Sequence, residues 1–225
     1  MMEDSAPPAS ITAAAAFLLL LSLSGAGPMP TVAQEAKCPF EGRRPPLGEI
    51  LKGPASQRPS LCKANLAGTN LAGADLSGAN LKGSNLARAN LKRSRLVGAE
   101  LAGSHLGKAN LNGTSLAGAD LGGTNLAEAD LAGADLTNVD LAGAALTGAD
   151  LTGANLTGAK LNNANLESAK LNNANLSDAN VTEAYLGSAR LEGANLISVK
   201  GITCDQLRAA KTDRATKLPG GMKCS

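Results

Sequence analysis

The sequence predicts an all-β solenoid, a chain that coils through square turns and stacks them into a rod. Two columns of residues carry that prediction. From Leu61 to Leu196 every fifth residue is leucine, broken once by Val181, so that 28 five-residue units run in register through Lys200. Two residues before each leucine after the first sits a small residue: the 28 positions from Ala64 to Val199 hold 20 Ala, three Thr, three Ser and two Val. The five-residue period is the third observation, because it excludes the ordinary elements. A helix advances about 100° per residue, so a five-residue step smears the leucines around its surface. A flat strand has period two and would send alternate leucines to opposite faces.

Repeats of this kind bury their apolar side only by stacking on neighbours. With one unit per side of a square, four units make a coil of 20 residues, and the 28 units make seven coils. At about 4.8 Å per coil the rod is about 34 Å long. Leucine and the small residue point to the axis, with Leu66, Leu86, Leu106, Leu131, Leu151 and Leu171 as representatives of the interior column. The other three positions of each unit face water. A narrow axis explains why the second column never holds a large side chain.

Units such as Ala74-Asp75-Leu76-Ser77-Gly78 and Ala154-Asn155-Leu156-Thr157-Gly158 resemble the A-(D/N)-L-x-x motif of pentapeptide-repeat proteins. That resemblance covers residues 61–200 and implies the family's fold, a right-handed quadrilateral β-helix. The residue before leucine is Asn or Asp at 18 of the 28 positions from Asn65 to Lys200. Both tolerate tight turns and bond nearby backbone, which suits a chain turning a corner every five residues. A leucine-rich repeat would need longer units with L-x-x-L-x-L spacing, and the chain has none.

The chain divides into a leader (1–33), an amino-terminal arm (34–60), the solenoid (61–200) and a carboxy-terminal cap (201–225). Ile11 to Leu23 is a 13-residue apolar stretch, long enough for a secretory signal and short for a membrane span, which needs about 20 residues. Thr31-Val32-Ala33 offers a small-x-small cleavage site, so the mature protein is expected to be exported and to begin near Gln34. Against this, Glu3 and Asp4 leave the leader's start without a basic residue.

Cysteine placement agrees with export. Cys38 and Cys62 bracket the arm, while Cys204 and Cys224 bracket the tail. Four cysteines allow three pairings. Cys38–Cys62 and Cys204–Cys224 are favoured, because the rod holds its two ends beyond the reach of a disulfide.

Both flanks read as lids. Pro45-Pro46 followed by Leu47, Ile50 and Leu51 suits a short helix with an apolar stripe. Thr203-Cys204-Asp205-Gln206 fits a capping box that starts a second short helix, with Leu207 and the alanines continuing it. Leu218-Pro219-Gly220-Gly221 then stops regular structure.

Surface chemistry points away from catalysis. Aspartates gather in mid-rod at Asp120, Asp130, Asp135, Asp140 and Asp150, and a 20-residue coil spreads them over three sides. Basic residues cluster earlier at Lys82, Arg88, Lys92, Arg93 and Arg95. His105, the chain's one histidine, stands in a column of asparagines as an outward substitute for them. A general base needs an oriented partner and a pocket, and a convex rod offers neither. No catalytic, cofactor-binding or metal-binding residue is expected. Nucleic acid would want a basic stripe, with stacking aromatics for single strands, and neither exists.

The expected function is a non-enzymatic, secreted structural or protein-interaction scaffold with an unidentified protein partner and no membrane contact after cleavage. The alternative resembles the quinolone-resistance branch of the family, whose members imitate DNA and bind type II topoisomerase in the cytosol. The leader, the absence of projecting loops, the leucine-only interior column and the near-neutral rod all count against that alternative.

Overall fold

A computed structural model describes residues 38–51, 60–220, 222 and 224. The predicted leader and its cleavage site at Ala33 lie outside the described residues. Every inward leucine from Leu61 to Leu196 is buried, with Leu66, Leu86, Leu106, Leu151 and Leu171 at 0% exposure and Leu131 at 1%. Parallel bridges link each outward residue to the one 20 positions on, from Asn65↔Asn85 to Asn180↔Lys200, which fixes the coil at 20 residues and four sides.

The expected strands are not extended strands. Each side contributes a single bridging residue, the one before leucine, and then the chain turns. The cause is the turn itself. In every unit the small residue donates to the carbonyl of its own leucine, as in Ala89 N to Leu86 O at 2.9 Å. The second residue after leucine has positive φ at all 28 positions, 15 of them glycine and 13 not. A three-residue reach with positive φ before the last residue is the geometry of a type II turn. A four-residue turn in a five-residue unit leaves one residue per side, too few for a strand.

Backbone satisfaction explains the residue before leucine. Within a coil, leucine donates to the next coil (Leu86 N to His105 O, 2.7 Å), as does the positive-φ residue (Arg88 N to Gly107 O, 3.0 Å). The residue before leucine donates to the preceding coil (Asn85 N to Ala64 O, 2.9 Å). Counting the turn bond, four of five N–H groups are placed. The fifth, just after leucine, is taken by the Asn or Asp side chain two residues earlier in all 18 units that carry one. Asparagine and aspartate are therefore part of the coil's hydrogen bonding and not only decoration of its corners.

Both ends are closed by chain from outside the repeats. At the amino terminus, Pro45 is buried and α1 (Leu47–Ile50) follows, with Phe40, Leu47 and Leu51 packed against the core. The arm also bridges Glu41 to Ala64, and Asn65 donates to Arg43 O at 2.9 Å, replacing the coil that would lie beneath. Cys38 is joined to Cys62. Cys62 is itself the second residue of the first repeat unit, so this disulfide ties the arm directly to coil one instead of closing a loop outside it.

At the other end α2 (Cys204–Ala209) starts in the expected capping box, with Thr203 and Gln206 bonding reciprocally and Leu207 buried. Cys204 is joined to Cys224. The tail between α2 and Leu218 departs from expectation. Lys211 and Lys217 bridge Arg190 and Asn195, so the chain returns to the rod and lays down two sides of an eighth coil. Thr216 donates its hydroxyl to Leu191 O at 2.9 Å, and the Asp213 carboxylate accepts from Gly193 N at 2.9 Å, where a further coil would have offered a carbonyl. The Gln206 side-chain amide donates to Ala184 O, which a further coil would have met, and to Val181 O, which also accepts from Ala184 N.

Candidate binding faces of the rod

Four outward columns run the length of the solenoid, one per side. Side 1 carries the Asn65 column, side 2 the Asn70 column, side 3 the Asp75 column and side 4 the Asn80 column. His105 lies exposed on side 1 between Asn85 and Asn125, as expected of a surface substitute. Among the described residues no group of three or more His, Cys, Asp or Glu is placed to hold a metal ion, and no helix is long and apolar enough to cross a membrane.

Side 3 is a polar ladder. Asn155 Nδ2 donates to Thr137 Oγ1 (2.8 Å), Asn175 Nδ2 to Thr157 Oγ1 (2.9 Å) and Asn195 Nδ2 to Asn175 Oδ1 (2.9 Å). Each of the two threonines in turn donates to the Asp or Asn two residues before it.

Sides 2 and 4 carry charge. Lys170 meets Asp150 at 3.1 Å on side 2, and Lys160 meets Asp140 at 3.0 Å on side 4, each pair joining successive coils. Partial burial raises the Asp140 carboxyl, but the Ala142 N–H and Lys160 outweigh it and leave the group below its ordinary value. Asp150 is likewise held low: burial opposes, and Thr152 and Lys170 prevail. These pairs are half-exposed and each is worth at most about 1 kcal/mol. The aspartates of mid-rod divide as expected, Asp120 with Asp140, Asp130 with Asp150, and Asp135 alone. The basic cluster does not form one face. Lys82, Arg88, Lys92, Arg93 and Arg95 sit on successive corners and sides of a single coil, and Lys82 is paired with Glu100 at 3.2 Å.

A cavity lies beside α2, lined by Leu207, Arg208, Ala210, Lys211, Thr212, Leu218 and Cys224. It was not legible in the sequence, because the return of the tail to the rod creates it.

No curated protein matches the chain by sequence. Among solved structures, a trypsin-treated form of QnrB1, a plasmid-mediated fluoroquinolone resistance protein, is 20% identical with a TM-score of 0.54, over 67% of this chain and 81% of that one. A second trypsin-treated form gives 0.52 at 20% identity, over 64% and 77%. At that identity the likeness concerns the fold alone. HetL, a pentapeptide repeat protein involved in heterocyst differentiation regulation in the cyanobacterium Nostoc, is 37% identical over 63% of this chain and 72% of its own, with a TM-score of 0.25. Pentapeptide repeats match in overlapping blocks, residues 60–93, 94–133, 114–153, 124–163, 149–186 and 159–197. With the four-sided coil and its repeating turn already in place, the chain belongs to the pentapeptide-repeat family.

Proposed function

We propose that this chain is an exported, non-enzymatic scaffold whose flat sides dock a protein partner. The observation that carries the reading is the pair of disulfides, one at each end of an uninterrupted rod. Disulfides persist in oxidising compartments outside the cytosol, and here both secure caps and neither serves a site. The apolar leader, with cleavage near Ala33, supports the same compartment. The rod supports the scaffold role: its apolar residues are spent on the axis, and its polar groups are held on rigid, convex sides where a general base would find no enclosing pocket. The columns also speak against imitation of DNA, since acidic residues give way to lysine along sides 2 and 4 instead of forming a continuous stripe.

Cell fractionation with mapping of the mature amino terminus and a thiol count tests the compartment. The expected result is a chain beginning near Gln34, outside the cytosol, with no free thiol. Cytosolic protein that retains residue 1 and four thiols would overturn the reading. A photo-crosslinking residue placed at an exposed position on each side in turn then tests the scaffold role. One side should capture a partner protein reproducibly, and capture by none would argue against docking.

A further inference from the structure

We propose that side 4 is a self-recognition surface, on which a second copy of this chain docks antiparallel about a two-fold axis between the rungs of Asp140 and Lys160. The inference does not depend on the export reading. It rests on the order of one column, Glu100, Asp120, Asp140, Lys160, Asn180 and Lys200, whose members stack on successive coils. Turned end for end against itself, that column is its own complement. Asp140 faces Lys160 of the second copy, Asp120 faces Asn180 and Glu100 faces Lys200, and each contact occurs twice by symmetry. An isologous interface requires this kind of self-complementarity.

The proposed register makes four opposite-charge contacts, Asp140 to Lys160 and Glu100 to Lys200 twice each, and every slipped register makes at most two. Slipping the second copy by one coil in one direction brings Asp140 onto Asp140, and in the other brings Lys160 onto Lys160. Parallel docking places every charge on its like. Both one-coil slips and the parallel arrangement therefore carry a repulsive element as well as lost attraction, which is how specificity is built against alternatives. A two-coil slip that sets Asp140 on Lys200 has no like-charge contact but keeps only half of the opposite-charge contacts.

An independent observation falls in the same register. Val97 and Ile197 are among the few large hydrophobic residues left exposed, at 39% and 46%. Both stand on the corner that leads into side 4, at the rungs of Glu100 and Lys200. The two-fold that pairs Glu100 with Lys200 also sets Val97 of one copy against Ile197 of the other, giving apolar contacts at both ends of the charged strip. Next to the central rungs the corners are Thr137-Asn138, Ala142-Gly143, Thr157-Gly158 and Asn162-Asn163, all short side chains, so the two flat sides can approach. Six rungs at about 4.8 Å span only about 24 Å, so the association is weak and salt-sensitive. Side 2 supplies an internal control. It repeats the charge order in Asp130, Asp150, Lys170 and Arg190 but has no exposed apolar pair.

Sedimentation equilibrium of the full, oxidised chain tests the proposal. A concentration-dependent dimer is expected at low salt, dissolving at about 0.5 M salt, where the screening length falls well below 10 Å. The K160E/K200E variant carries acid at all five charged rungs, and E100K/D140K carries base at every charged rung but Asp120, which faces Asn180. Alone, each should self-associate at least about tenfold more weakly than the parent; mixed one to one, they should form a heterodimer. The side 2 variant K170E/R190E should associate like the parent. A parent chain that stays monomeric at low salt would overturn the proposal. So would a mixture that fails to pair while the parent dimerises, or a side 2 variant that loses association as fully as the side 4 variants. Circular dichroism of each variant confirms that these exposed changes leave the coil intact, and recovery of the heterodimer shows it independently.

Discussion

In the first four coils, residues 61–140, six of the 16 small inward positions carry a hydroxyl, whereas in the last three, residues 141–200, none of the 12 does. The turns differ in the opposite sense. Ten of the 16 positive-φ positions in the first four coils are glycine, against five of 12 in the last three. One half departs from the ideal repeat inside the rod and the other at its corners. The interior hydroxyls are not equivalent. Thr114 and Thr124 reach Leu91 O and Leu101 O one coil back, at 2.8 and 3.1 Å, whereas the Ser84, Ser94 and Ser104 hydroxyls are buried without a partner among the described residues. Threonine's added methyl and fixed rotamer aim its oxygen at a carbonyl, and serine in the same column does not find one. At the corners, Asn163, Asn173 and Asp178 suit positive φ better than Arg88 or Arg93 does, because short polar side chains tolerate the left-handed region. The repeat thus tolerates imperfection wherever a hydrogen bond or a soft backbone preference absorbs it.

The largest expected effect is shared by the two halves. Leu131→Asp and Leu171→Asp should each cost more than about 4 kcal/mol, since an unpaired carboxylate enters a dry axis. Ala132→Asp, one residue further on and facing outward, should change stability by no more than about 0.5 kcal/mol. Thermal melting followed by circular dichroism separates these, and a half that accepts the inward aspartate would show that its core is not continuous with the other.

The next effect distinguishes the ends from both halves. Cys38–Cys62 and Cys204–Cys224 span 24 and 20 residues, and each contributes roughly 3 kcal/mol if loop closure dominates. Reduction should expose the caps to hydrogen exchange before the coils. Simultaneous exchange along the whole chain would mean that caps and rod open as one unit.

Smaller still is the exchange of interior residues between halves. Ser94→Ala should stabilise by about 1 kcal/mol by removing a buried hydroxyl without a partner, and Ala144→Ser should destabilise by a similar amount. Denaturant midpoints decide the matter. If Ser94→Ala destabilises instead, the serine column has partners of its own and the contrast between halves disappears.

The smallest effect tests the corners. Arg93→Gly should gain up to about 1 kcal/mol and Gly133→Ala lose about as much, because both carry positive φ and only glycine adopts it freely. Asn173→Gly should be closer to neutral. Equal gains at Arg93 and Asn173 would show that the polar turns of the last coils are no better adapted than the basic ones of the first.

The residues alone set the five-residue step, the inward register and the short helical caps, since each leucine must reach one axis. Four steps per coil, and with them the division of the aspartates among sides, were expected of a square coil and are fixed by bridges between outward residues 20 positions apart. The sequence also showed that Asn and Asp belong before leucine, though not that they accept the one N–H per unit that the coils leave over. That required the backbone, since the acceptor is assigned only after the other four donors are placed. The cap beyond Ala209 was not legible. Lys211 and Lys217 follow their bridge partners by 21 and 22 residues instead of 20. Leu207 precedes Lys211 by four residues as in a repeat, but one residue out of register with the leucine column, and Asp213 holds that place before Lys217. Periodicity therefore fell silent just where the chain resumed the fold. What places that tail is tertiary: the Ala184 carbonyl and the Gly193 N–H, left open on the last coil, are met by the side chains of Gln206 and Asp213, and Thr216 adds a bond to Leu191 O.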